Sequence, residues 1–266
     1  MSDDMAGQTF LVTGGGSGIG AATAESLRTR GASVLICGRR AAPLQAVAER
    51  TGADWATADL EHHDEVERLA STAIERFGRL DGVVANAGIM TTGSVLDTSI
   101  EDWDRAMAVN LRSVFVLARA CLPYLIESAG AFVTVSSIAG LSSPTGAAAY
   151  STAKAALISL TRSIAVDFAG RGVRANVVCP GWVRTEMADL EMDALTAPDT
   201  DRERGYRLVT SLVPQRRPAE PREIADAITW LCGPSSSYVN GAVITVDGGT
   251  SLVDAGTVPF DHQIGG

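Results

Sequence analysis

The chain has 266 residues, 22 basic and 31 acidic side chains, a formal net charge of −9, and 46% hydrophobic residues. That balance argues against the basic face a nucleic-acid-binding protein needs, and it suffices for the core of one large α/β domain over residues 1–266. No stretch approaches the roughly 18 apolar residues that cross a bilayer, and residues 1–8, with two aspartates and no basic residue, do not read as a secretory leader.

In chain order, the first apolar run, 9–13, leads straight into Thr13-Gly14-Gly15-Gly16-Ser17-Gly18-Ile19-Gly20, and a helical period follows over 21–30. Glycines at a strand–helix junction let the backbone turn tightly and come close to a pyrophosphate. They also aim the free N–H groups and positive end of the helix at it. No lysine–threonine pair follows the glycines, so this is not a nucleotide-hydrolysing loop. The second strand, 33–37, ends in Cys37-Gly38-Arg39-Arg40. A carboxylate at that position would accept the adenosine ribose 2′-hydroxyl of NAD, whereas an arginine can grip the 2′-phosphate of NADP. Arg39 thus favours NADP, with NAD the other choice and a solvated loop arginine the competing account of the residue.

Further strands at 54–58, 82–85, 131–136, 173–179 and 242–246 alternate with helical stretches such as 63–77, 103–126 and 150–169. Alternation repeated this often predicts an α/β, doubly wound parallel sheet of about seven strands with helices on both faces, a Rossmann fold. Its ligand belongs at the carboxyl ends of the strands. The exception is 186–217, polar and irregular with Pro198 and Pro214 at its edges, which reads as a lid insertion over a binding site or as a tolerated surface insertion. A tail follows over 252–266. Cys37, Cys121, Cys179 and Cys232 lie apart in apolar segments, as reduced core residues of a cytoplasmic protein do. Three histidines (His62, His63, His262) are too few and too badly placed for a metal site.

Of the 22 basic residues 21 are arginine; the one lysine is Lys154, in Tyr150-Ser151-Thr152-Ala153-Lys154. Residues four apart share a helix face, so phenol and ammonium address one small volume. A free tyrosine titrates near pH ~10, and a neighbouring ammonium favours its phenolate, which suits Tyr150 to give and take a proton. A compact ammonium on a flexible stem also reaches ribose hydroxyls where a planar guanidinium fits poorly.

With these residues in place, the chain resembles the short-chain dehydrogenase/reductase family, in its short single-domain, 3-oxoacyl reductase-like branch, over about residues 7–252. Beside the glycine turn and the Tyr150–Lys154 pair, the resemblance is carried by Asp59-Leu60, Asn86-Ala87-Gly88, Asn110 in Val109-Asn110-Leu111, and Ser136-Ser137. Pro180-Gly181-x-x-x-Thr185 and Val246-Asp247-Gly248-Gly249 complete it. The resemblance implies an NAD(P)-dependent oxidoreductase that passes hydride between the nicotinamide and a carbonyl or secondary alcohol, as a homotetramer. Tyr150 would be the general acid or base, and Lys154 would lower its pKa and hold the nicotinamide ribose. Ser137 would hydrogen-bond the substrate oxygen, and Asn110 would anchor a water linking Lys154 to solvent.

The same resemblance puts Gly14, Ser17, Gly18, Ile19 and Gly20 at the diphosphate and Asp59 and Leu60 at the adenine. Asn86, Ala87 and Gly88 would meet its ribose, and Pro180, Gly181, Val183 and Thr185 the nicotinamide. Asn86 and Asn110 could instead satisfy backbone groups, and Asp59 could cap a helix. Apolar Met90, Trp182, Met187 and Leu190 would either border a partly hydrophobic substrate or pack the lid. In the family, a tail such as the one around Phe260 can pack on a neighbouring subunit. A non-catalytic sensor or scaffold of the same fold is the alternative.

Overall fold

The apolar runs become the strands of one parallel sheet. In the computed structural model, which describes residues 4–254 and 256, these are β1 (Thr9–Thr13), β2 (Ser33–Gly38), β3 (Asp54–Thr57), β4 (Gly82–Ala85), β5 (Ala131–Val135), β6 (Arg174–Pro180) and β7 (Val243–Val246). Between them lie α1 (Gly18–Thr29), α2 (Ala41–Thr51), α3 (His63–Phe77), α4 (Ile100–Met107), α5 (Ser113–Ser128), α6 (Ala148–Phe168), α7 (Glu186–Leu195), α8 (Arg202–Val209) and α9 (Pro221–Cys232). The strands pair in the order β3-β2-β1-β4-β5-β6-β7, all parallel. This is the doubly wound topology the alternation predicts. Strand order reverses between β1 and β4, which opens a crevice at their carboxyl ends.

Successive strand residues point to opposite faces, and two cores result. Phe10, Val12, Val34, Ile36, Val84 and Val133 pack with apolar residues of α1, α2 and α9. Leu11, Leu35, Cys37, Val83 and Phe132 pack with those of α3, α5 and α6. Each large side chain so buried contributes roughly 1.5–3 kcal/mol, so these two layers hold the crevice rigid. All four cysteines are buried and free.

Two expectations change. A π-helical turn, Ala108–Arg112, joins α4 to α5 in one helical run, Ile100–Ser128, that is long and apolar enough to cross a bilayer. In the fold 56% of its most apolar window is buried. It is apolar because α5 lies against the sheet and neighbouring helices, the pattern of a core helix. The second change concerns 186–217, which is largely helical. Its hairpin, α7 and α8, has a small core of Ala188, Met192 and Tyr206, with Trp182 and Val209 against it. Several of its charges pair within the hairpin or beside it. Arg202 pairs with Asp189 and Asp193 (3.3 and 2.6 Å), Arg184 with Glu203, and the Tyr206 hydroxyl donates to Asp189 Oδ1 at 2.8 Å. Such internal pairing reads as mere polarity in a sequence. Phe260 and the rest of the tail after 256 lie outside the described residues.

Candidate active site

At the end of β1 the chain must turn within a very small space. Gly14 has φ +67°, and a Cβ on it would come within 2.9 Å of Ala87 Cα; one on Gly20 would lie 2.3 Å from the Gly14 carbonyl oxygen. Only glycine fits either position. Ser17 is the N-cap of α1 but makes no side-chain capping bond, and the first turn has no acidic residue. Free N–H groups and the positive helix end are therefore left for an anion, while Ile19 is packed on the core below. This cradle fits the diphosphate of a dinucleotide. Gly15, to which the sequence assigned no role, is needed for packing: its Cβ would lie 2.5 Å from Ile36 Cβ.

Beside this turn, the end of β2 presents Arg39, exposed and without an ion pair among the described residues. The Ala58 N–H donates to the Gly38 carbonyl (3.0 Å) and brings Asp59 to the same edge. Asp59 caps a turn: its Oδ1 accepts from the Glu61 N–H (3.0 Å), and its own N–H donates to Glu65 (2.8 Å). Leu60, 8% exposed, belongs to the core.

The end of β4 is tied to β1. The Asn86 amide donates to the Thr13 carbonyl (2.9 Å), and the Asn86 and Ala87 N–H groups donate to Thr13 Oγ1 (3.0 and 3.1 Å). The amide of Asn86 is thus used to satisfy backbone, and Thr13, in the sequence only the first residue of the glycine turn, is the link. A Cβ on Gly88 would lie 3.0 Å from Asn110 Oδ1 and 3.3 Å from Lys154 Nζ, so this loop passes directly over both. Asn110, fully buried in the π-helical turn, accepts from the Ile89 N–H through Oδ1 (2.8 Å) and donates to the Ile89 carbonyl through Nδ2 (3.0 Å). Both side-chain groups clamp the β4 loop.

The opposite wall of the crevice is α6. Lys154 is 4% exposed; its Nζ donates to the Val135 carbonyl at the end of β5 (3.0 Å) and lies 5.6 Å from the centre of the Tyr150 ring. Burial pulls the ammonium down to about 8. Ser136 faces structure, donating to the Lys154 carbonyl at 2.7 Å. Ser137 accepts from the Ala139 N–H (3.1 Å) and hydrogen-bonds Tyr150.

The phenol goes the other way from the sequence expectation. Burial pushes Tyr150 up to about 12; the Ser137 bond opposes this, and the Glu191 charge adds to it. Desolvating a phenolate costs more than this site returns, so Tyr150 keeps its proton at neutral pH. Glu191, half-buried in α7, has no ion pair among the described residues, and burial raises its carboxyl as well. The sequence offered no signal to separate it from its charged neighbours.

The end of β6 closes the site. The Gly181 N–H donates to the Val246 carbonyl (3.1 Å), and a Cβ on Gly181 would come within 3.0 Å of Asp247 Cα. Asp247 in turn holds the Gly249 and Ser251 N–H groups (3.0 and 2.8 Å). Val183, 5% exposed, is a core residue. The Thr185 hydroxyl accepts from the Ala188 N–H (3.2 Å) as the cap of α7, and its methyl stands 3.0 Å from where a Gly18 Cβ would be. Trp182 packs in the hairpin core, Leu190 is exposed, and Met90 and Met187 are partly buried.

Residues 14–251 match the family model described as enoyl-(acyl carrier protein) reductase. The chain is 42% identical over 259 residues to protein MoaE of Klebsiella aerogenes, covering 95% of this chain and 99% of that protein. It is 35% identical over 250 residues to meso-2,3-butanediol dehydrogenase of Serratia marcescens, covering 93% and 96%. Among solved structures it superposes on a single-site variant of actinorhodin polyketide ketoreductase with NADPH at a TM-score of 0.88 and 30% identity, covering 95% of this chain and 100% of that one. The sheet order agrees with these matches, and the chain belongs to the short-chain dehydrogenase/reductase family as a short single-domain, NAD(P)-dependent oxidoreductase acting on CH–OH groups.

Proposed function

We propose that the protein interconverts a partly apolar ketone, neutral or cationic, with its secondary alcohol, and that it favours NADP(H) over NAD(H). The observation that carries this is the convergence of Ser137, Tyr150 and Lys154 at the carboxyl ends of β5 and α6's first turns, beside the glycine cradle. When bound, the nicotinamide supplies or receives the hydride. Tyr150, holding its proton, donates it from its phenolic oxygen to the carbonyl oxygen that Ser137 orients. Lys154 holds the nicotinamide ribose and supplies positive charge behind the phenol, and Asn110 with Gly88 keeps that ammonium in place. Asp59 and the backbone at Leu60 border the adenine, and Asn86 to Gly88 border its ribose. Pro180, Gly181, Thr185 and the backbone at Val183 meet the carboxamide.

Glu191 supports the charge of the substrate. Among the described residues it has no ion pair, and its charge disfavours the Tyr150 phenolate; in its carboxylate form it repels an anionic group near the reacting carbon and accepts a hydroxyl or ammonium. A relative named for a small diol agrees with a neutral, donor-bearing alcohol.

Steady-state assays of neutral and carboxylate-bearing ketones with each cofactor test this. NADPH should give the higher kcat/KM, Arg39→Ala should cost NADPH about tenfold and leave NADH unchanged, and carboxylate-bearing ketones should be about tenfold poorer. A preference for NADH, or no hydride exchange with any ketone, would overturn the proposal.

Assembly as a homotetramer in the cytoplasm belongs to the same proposal. Its supports are the four free thiols and the exposed apolar side chains Leu96, in the loop before α4, Ile100 on α4 and Phe115 on α5. A size-exclusion mass near 27.7 kDa would exclude the tetramer.

A further inference from the structure

The two arginines that follow β2 differ in what they hold. Arg39 has no ion pair among the described residues, whereas Arg40, at the N-cap of α2, reaches a residue 146 positions away. Its Nη1 donates to Glu186 Oε1 at 3.0 Å and its Nη2 to Glu186 Oε2 at 2.6 Å, a bidentate pair. Glu186 is the first residue of α7 and follows Thr185, whose methyl lies against the Gly18 position. The Ser17 hydroxyl also hydrogen-bonds the Glu186 carboxylate. Arg40, Glu186 and Ser17 therefore form a clasp from the end of β2, across the diphosphate turn, to the start of α7.

Resting on the dinucleotide assignment of this crevice, we propose that Glu186 sets the preference between 2′-phosphorylated and unphosphorylated cofactor by competing with the 2′-phosphate for Arg40. The chemistry is that of one fork-shaped cation between two acceptors. Glu186 offers Arg40 a single negative charge; a 2′-phosphate beside Arg39 offers about two charges and three acceptor oxygens. Both ends of the clasp are exposed, the side chains at 62% and 53%, and an exposed pair holds weakly. The 2′-phosphate can therefore draw Arg40 away and bind between two arginines. With an unphosphorylated ribose nothing draws it, and Arg40 stays on Glu186. Guanidinium and carboxylate each favour the charged form of the other, so the competition runs at full charge through neutral pH.

Fluorescence titration of NADPH and NADH into the wild type, Glu186→Gln, Arg40→Ala and the double variant tests this without reference to turnover. Loss of the competing carboxylate should raise the ratio Kd(NADH)/Kd(NADPH) by about two- to fivefold in Glu186→Gln, the scale of an exposed ion pair. Arg40→Ala should lower that ratio, and Glu186→Gln should change nothing further in the Arg40→Ala background. An unchanged ratio in Glu186→Gln would overturn the proposal. So would a rise that persists without Arg40, since it would come from general charge at the diphosphate. If the wild type bound neither nucleotide, the cofactor assignment itself would fall, an outcome distinct from both.

Discussion

Tyr150→Phe should lower kcat for ketone reduction by about 10³-fold, within the range that general acid catalysis supplies, and leave the Kd for NADPH within about twofold. The ring stays in place on α6, so packing beside Lys154 persists, and the change removes only the oxygen that carries the proton. Ser137 can orient a carbonyl but has no acidity to offer at neutral pH. Because burial raises Tyr150 and holds it protonated, the wild type enters the reductive direction with its proton in place. The oxidative direction must first form a buried phenolate and should be favoured by alkaline pH. Stopped-flow turnover combined with nucleotide titration separates the two effects. Full activity in Tyr150→Phe would remove the proton-donor assignment, and loss of nucleotide binding would show that the hydroxyl acts on the cofactor instead. A sensor or scaffold of this fold would lose nothing measurable from the change.

Lys154→Met should abolish reduction and at the same time stabilise the protein. A lysine whose folded value is about 8 against 10.5 in the open chain binds its proton less well when folded. The penalty is present in full below pH 8 and corresponds to ~3 kcal/mol. Losing the bond to the Val135 carbonyl returns ~1 kcal/mol of it. The variant should therefore gain roughly 2 kcal/mol at pH 7, about 5 °C in Tm. The sign of the pH dependence follows from proton counting. Between pH 8 and 10.5 the unfolded wild type holds more protons at this residue than the folded, so its stability rises relative to the variant and the gap closes. Cys37 and Cys232, raised by burial with no contribution from Lys154, titrate alike in both proteins and cancel in the difference. Paired denaturation curves from pH 6 to 10.5 check this. A variant less stable at pH 7, or a pH-independent gap, would mean that Lys154 is not strained by burial. A penalty of this kind at Lys154 fits a charge kept at the proposed active site.

The fate of particular residues shows how much could be read in advance. Gly14 and Gly20 are legible because a tight turn admits no other residue, and Tyr150 and Lys154 because four residues of helix suffice to pair them. Asn86 is legible as a position but not in its task, since its partner Thr13 lies 73 residues earlier. Leu60 and Val183 stand where the family motif places a cofactor, yet their side chains fill the core. The helices of 186–217 were hidden because internal ion pairs such as Arg202 with Asp193 resemble solvated charge until both partners are seen.

The sequence by itself therefore determined the sheet, the glycine turn, the Tyr150–Lys154 pair and the family, because strand alternation, helix period and glycine geometry act over a few residues. Only the tertiary structure decided that Tyr150 is raised and not lowered, that the charge of Glu191 acts on it, and that among the described residues Arg40 has an ion-pair partner while Arg39 has none. These outcomes depend on burial and on charges brought from distant parts of the chain, and both exist only once the two cores have closed around the crevice.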